Sequence, residues 1–163
     1  GTIYVDTKNK IDSRETEYEV DHILEIQWFV FVVAAALHRF DGDNHGRVIF
    51  DQLRDQLSDV INSNVNLNVT DKDTNLVKMN VFKVFIKMRY VHQDQGIADF
   101  LKTSNFDKSI DQYCSCLKTA CITIRQQLVL LKRDAETSSS LRIKYAWQKI
   151  IEEFDLFYFS LRI

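Results

Sequence analysis

None of the 163 residues is proline, and only four are glycine. Proline removes a backbone donor and breaks helix interiors, and glycine is what makes left-handed turns cheap. Average usage would have supplied about eight prolines. A chain almost free of both punctuating residues is expected to form long uninterrupted helices and to build its turns from Asn, Asp and Ser. Hydrophobic residues make up 45 % of it and aromatic residues 12 %. That supplies a real core for one domain, with or without an extension, and excludes global disorder.

The apolar spacing agrees with a mostly helical chain. Ile110, Cys114, Leu117, Cys121, Ile124, Leu128 and Leu131 recur at 4–3 intervals, and so do Ile143, Trp147, Ile150, Phe154, Phe157 and Leu161. Two such runs predict a long antiparallel helical hairpin that turns within residues 136–140. Ile151, Tyr158 and Phe159 fall outside the seam, so the second helix needs another buried face, against the core, a protein partner or a second copy. Residues 28–37 are ten apolar residues in a row, too few to cross a bilayer and suited to a buried helix. Helical spacing of Phe50, Leu53, Leu57, Val60 and Ile61 predicts a helix over 50–61. Leu76, Met79, Phe82 and Phe85 predict the buried side of a helix beginning at Asn75. Residues 90–101 read as one more helix, with Gly96 its weak point and His92 on the surface. Strand signals are short: residues 2–5, then, after a polar loop over 6–16, Tyr18 and Val20 with Ile23, and later Leu67 and Val69.

Cys114, Cys116 and Cys121 have no second cluster to bridge to and no paired spacing for zinc, so they read as core thiols of a reducing, intracellular setting. No secretory or membrane-spanning run occurs, and a start at Gly-Thr reads as a processed or truncated piece. The net charge of −2 disfavours a non-specific polyanion binder. It hides a split: residues 1–77 hold seven Lys/Arg against fourteen Asp/Glu (−7), and residues 78–163 hold fourteen against nine (+5). An acidic half that binds metal beside a basic half that holds nucleic acid is consistent with that division.

Residues 41–52 resemble an EF-hand calcium loop. Asp41 and Asp43 take the first and third positions and Gly46 the sixth. The fifth is His45, however, and the twelfth is Gln52 where a bidentate Glu belongs. The loop therefore reads chiefly as a helix–turn–helix connection, a degenerate calcium-responsive module being the lesser alternative.

The chemistry concentrates in two other stretches. Asp21-His22-Ile23 closes an apolar-alternating run, and Asn66 and Asn75 stand nine positions apart, with Lys78 three further on. Carboxylate and carboxamide oxygens suit a hard divalent ion, which could neutralise phosphoryl oxygens. An imidazole titrates near neutrality and can take a proton from water. A buried Asn can bond both an amide and a carbonyl of a facing loop. Neighbouring strand residues point to opposite faces, so an Asp-His pair belongs where the strand ends.

This pattern resembles the HNH, or ββα-metal, nuclease family, whose motif runs from an Asp-His-Ile at a strand end through a structural Asn to an Asn that opens a helix. The resemblance implies an α+β, mostly helical protein. It would have a small ββα-metal centre in residues 1–90, helices inserted over about 27–61, and a C-terminal helical extension over 91–163 packed on that core. The insertion is longer than in compact members of the family. The resemblance also implies a metal-dependent endonuclease acting on DNA or RNA. Asp21 and Asn75 would bind a divalent metal such as Mg2+, His22 would activate water, Lys78 would assist at the phosphate, and Asn66 and Glu25 would support the site. Lys83, Lys87 and Arg89 would track the nucleic-acid backbone. A small nuclease of this kind reads as a toxin or effector; the alternative is a non-catalytic helical interaction module.

Overall fold

The computed structural model of the chain describes residues 18–38, 44–88, 95–106, 108–138 and 140–161. The proposed strand at 2–5 and loop at 6–16, Arg89, His92, Asp41 and Asp43 lie outside them. The elements in chain order are β1 (Tyr18–His22), α1 (Ile26–Leu37), α2 (Asn44–Ile61), β2 (Leu67–Asp71), α3 (Lys72–Met88), α4 (Ile97–Lys102), α5 (Ile110–Ser138) and α6 (Leu141–Ser160). The protein is mostly helical with one small antiparallel sheet.

The strands pair from Tyr18 opposite Asp71 to His22 opposite Leu67. Alternation turns Glu19 and Asp21 to one face and Tyr18 and Val20 to the other. Asp21 is buried, whereas Tyr18 and Val20 are exposed, as is Val69 opposite Val20. α3 follows β2 without a break and covers the buried face. The hairpin connection is occupied by α1 and α2, the first buried along Trp28, Phe29, Val32, Val33, Ala36 and Leu37. Among the described residues, no helix is long and apolar enough to cross a membrane.

α5 and α6 pack on each other, and positions of the 4–3 spacing are buried on both, Cys114, Leu117, Cys121, Ile124 and Leu128 on α5 and Trp147, Ile150, Phe154 and Phe157 on α6. α6 also packs on α1, with Phe157 part of that contact. Trp28 lies 4.5 Å from Phe157 between ring centroids and 6.1 Å from Phe85. A single hydrophobic cluster thus runs from Ile23 to Leu161. All three cysteines are free; burial, with a smaller contribution from Asp111, pushes the Cys114 thiol up to about 11.

Several boundaries differ from the sequence reading. α2 begins at Asn44, so residues 44–52 are helical turns and not a calcium loop; within them Asp51 pairs with Arg54 at 3.1 Å. α3 begins at Lys72, three residues before Asn75. Its buried side is Thr74, Lys78, Val81, Phe82 and Phe85, while Leu76 is exposed. The helix expected over 90–101 is, in its described part, the short α4, and Gly96 is its N-cap. A Cβ there would stand 2.1 Å from the Ser160 carbonyl oxygen, so glycine is what lets α4 dock on the end of α6. α5 continues to Ser138, leaving little more than Ser140 to begin α6.

Candidate functional site

Asn66 is fully buried and ties the two ends of the hairpin together. Its Oδ1 accepts from the Leu24 amide at 2.8 Å, and its Nδ2 donates to the carbonyls of Leu24 at 3.2 Å and Ile61 at 2.9 Å. The Ile23 amide in turn donates to the Asn66 carbonyl at 2.7 Å. The bend after His22 is thereby locked, and Tyr113 of α5 holds it from behind by donating to the Ile23 carbonyl at 2.8 Å.

At the other end of β2, Asp71 starts α3. Its two carboxylate oxygens accept from the Thr74 amide and hydroxyl, each at 2.8 Å, and Lys108 lies 3.4 Å away. This N-cap fixes the phase of α3. Asn75 and Lys78, three apart on the helix, consequently face Glu19 and Asp21, two apart on the strand. Asn75 Nδ2 donates to the Glu19 carboxylate. Lys78 donates to the Asp21 carboxylate and to the His22 carbonyl, and its Nζ is 3.1 Å from Glu25 Oε1.

The three charged side chains of this cluster are almost withdrawn from water: Lys78 is 4 % exposed, and Asp21 and Glu25 are 7 % each. Burial raises the Glu25 pKa; Lys78 opposes the rise, Asp21 adds to it, and His22 opposes it weakly. Glu25 sits at the N-cap position of α1 but makes no side-chain cap bond. A small cavity beside the cluster, with room for about one water, is lined by Asp21, Thr74, Lys78, Tyr113 and Cys116 among others.

His22 leaves the strand on the side away from Asp21, so the two side chains diverge. Its Nε2 is 3.2 Å from Asn62 Oδ1, and Asn62 is oriented by donating from Nδ2 to the Ser58 carbonyl at 3.0 Å. An amide oxygen only accepts, so Nε2 carries the proton and Nδ1 is the nitrogen left to act as a base.

Asp21, Asn75, Lys78 and Glu25 thus share one strand–helix interface, with Asn66 at its closed end. Lys78 differs from the sequence reading: it is an interior cation and does not stand on a phosphate-facing surface. Lys83 and Lys87 are exposed on the far side of α3. Among the described residues no group of three or more His, Cys, Asp or Glu side chains could hold a metal ion. One carboxylate and one carboxamide nevertheless suit Mg2+, which keeps several waters. Asp21 and Asn75 are groups of those two types on the same interface, Asn75 bonded to Glu19 and Asp21 to the Lys78 ammonium.

Sequence reasoning missed Glu19, Asn62 and Tyr113. Glu19 was reachable, because strand alternation puts it on the face of Asp21. Asn62 and Tyr113 meet their partners 40 and 90 residues away in sequence, and nothing local announces them. Comparison of the chain with protein-family models, curated proteins and solved structures returns no match.

Proposed function

We propose that the protein is a metal-dependent nuclease of the HNH type that hydrolyses phosphodiester bonds in DNA or RNA, and that β1, β2 and α3 are its ββα centre. The observation that carries this reading is the pairing of Asn75 and Lys78 on α3 with Glu19 and Asp21 on β1, closed by the Asn66 clamp. It brings Asp21 and Glu25 of one sequence block to the same interface as Asn75 and Lys78 of the other, with His22 on the opposite face of β1.

In this scheme Asp21 and Asn75 hold a divalent ion, which when bound draws charge from the phosphoryl oxygens. His22, its Nε2 proton directed at Asn62, presents Nδ1 to take a proton from the attacking water. Asn66 and Tyr113 hold the backbone just after His22, at Ile23 and Leu24, against rotation, and Lys83 and Lys87 on the open face of α3 attract the phosphate backbone. A second reading, a helical interaction module, draws on the exposed Leu130, Leu156 and Phe159 of the hairpin.

Incubating the full chain with tRNA, rRNA, single-stranded DNA and plasmid in Mg2+, Mn2+ or chelator decides between them. Cleavage that needs metal and falls at least about a hundredfold in His22→Ala, with unchanged circular dichroism, supports the nuclease. No cleavage of any substrate in either metal overturns it.

A further inference from the structure

We propose that Lys78 is a resident counter-ion occupying the cation position of the site, so that a divalent ion binds Asp21 only by displacing the Lys78 ammonium. Asp21 and Glu25 carry two carboxylates into a region with almost no solvent, and among the described residues Lys78 is the cation placed between them. With both carboxylates ionised, Asp21, Glu25 and Lys78 together carry a formal charge of −1. Exchanging the ammonium for a divalent ion would bring it to zero, whereas adding the ion beside the ammonium would set two cations against each other at a few ångströms in low dielectric. Exchange is therefore the favoured route. Glu25 Oε1 is buried with the Lys78 ammonium 3.1 Å away as its partner, so one ammonium serves both carboxylates and its departure would leave both facing a single cation position. The cavity beside Asp21 and Lys78 gives the incoming ion, or the departing ammonium, its first free space.

The exchange has a second consequence. Lys78 is anchored on α3 one turn after Asn75, and its ammonium can neutralise an anionic substrate only after leaving Asp21 and the His22 carbonyl. Metal loading and the release of a phosphate-seeking lysine become one event, and the apo protein is held with its cation site closed.

This inference rests on reading Asp21 as a cation ligand, but it is tested by binding and not by cleavage. Mn2+ is titrated calorimetrically into the full chain, into Lys78→Met and into Asp21→Asn. Removing the competing ammonium is expected to tighten Mn2+ binding about tenfold or more, and Asp21→Asn to abolish it. In the unmutated protein, reductive methylation read by mass spectrometry is expected to spare Lys78 without metal and to label it when Mn2+ is added. This second measurement stands even where Lys78→Met folds poorly. Lys78 equally protected with and without saturating Mn2+, or equal Mn2+ affinity in a folded Lys78→Met, overturns the exchange. If cleavage still requires metal in that case, the nuclease reading survives. Absence of cleavage together with metal-driven labelling of Lys78 leaves the exchange standing and removes the nuclease.

Discussion

Asn66 serves three backbone groups: the buried amide and carbonyl of Leu24 and the half-buried carbonyl of Ile61. Leaving a buried polar group unsatisfied costs more than the bond itself contributes when made. Asn66→Ala is accordingly expected to lower unfolding free energy by about 2–4 kcal/mol, read from the urea midpoint. Asn66→Asp sharpens the test, because it keeps the acceptor for the Leu24 amide and turns the donating nitrogen into an oxygen facing two carbonyls. It should be less stable than the alanine variant at neutral pH, the reverse of what side-chain volume alone predicts. Equal midpoints for the two would mean that the clamp contributes by packing and not by its hydrogen bonds.

Among the elements, α3 sets the geometry of the site, and Asp71 sets where α3 begins. Burial alone would raise the Asp71 pKa, but the Thr74 amide and hydroxyl and the nearby Lys108 outweigh it and hold the carboxyl below its usual value. A folded-state pKa below the unfolded one means that the unfolded chain binds more protons in between. The stabilisation by Asp71 is therefore complete above its unfolded value, near 3.8, and is lost as pH falls through the depressed folded value. Asp71→Ala is expected to cost about 1 kcal/mol at neutral pH and to remove this part of the acid limb. Asp71→Asn retains a capping oxygen and loses the attraction to Lys108, so it should fall between the two. Thermal melts from pH 2 to 7 would show the three curves converging in acid; parallel curves would contradict the assignment. The same helix shows what could be read in advance. Its existence followed from Phe82 and Phe85, and the side shared by Asn75 and Lys78 followed from their spacing of three. That β1 covers this side, turning Lys78 inward, depends on a pairing across more than fifty residues. α5 and α6 were legible because their seam repeats locally over many turns. α2 was read short because Asn, Gly and Asp near its start suit a loop as well as a first helical turn, and only packing against α1 and α5 decides the matter.

At the scale of the molecule, the sheet-bearing half and the helical hairpin share their interior. Trp28 of α1 meets Phe157 of α6 at 4.5 Å, and Phe82 and Phe85 of α3 approach the same ring at 6.2 and 5.8 Å. Phe157 itself has no exposed surface. An α6 side chain is thus part of the wall behind the strand–helix site, and the two halves should not melt separately. Replacing Phe157 by Ala removes a ring from the centre of this cluster, with an expected cost of about 3–5 kcal/mol. Trp28 and Trp147 lie on α1 and α6, so tryptophan fluorescence reports both sides of the shared interior, and far-ultraviolet circular dichroism reports the helices as a whole. In a chain with one core the two signals keep a single common midpoint, and Phe157→Ala shifts them together. Two transitions, or a shift confined to one probe, would mean that the hairpin folds as a separate unit and that the β1–α3 site does not depend on it.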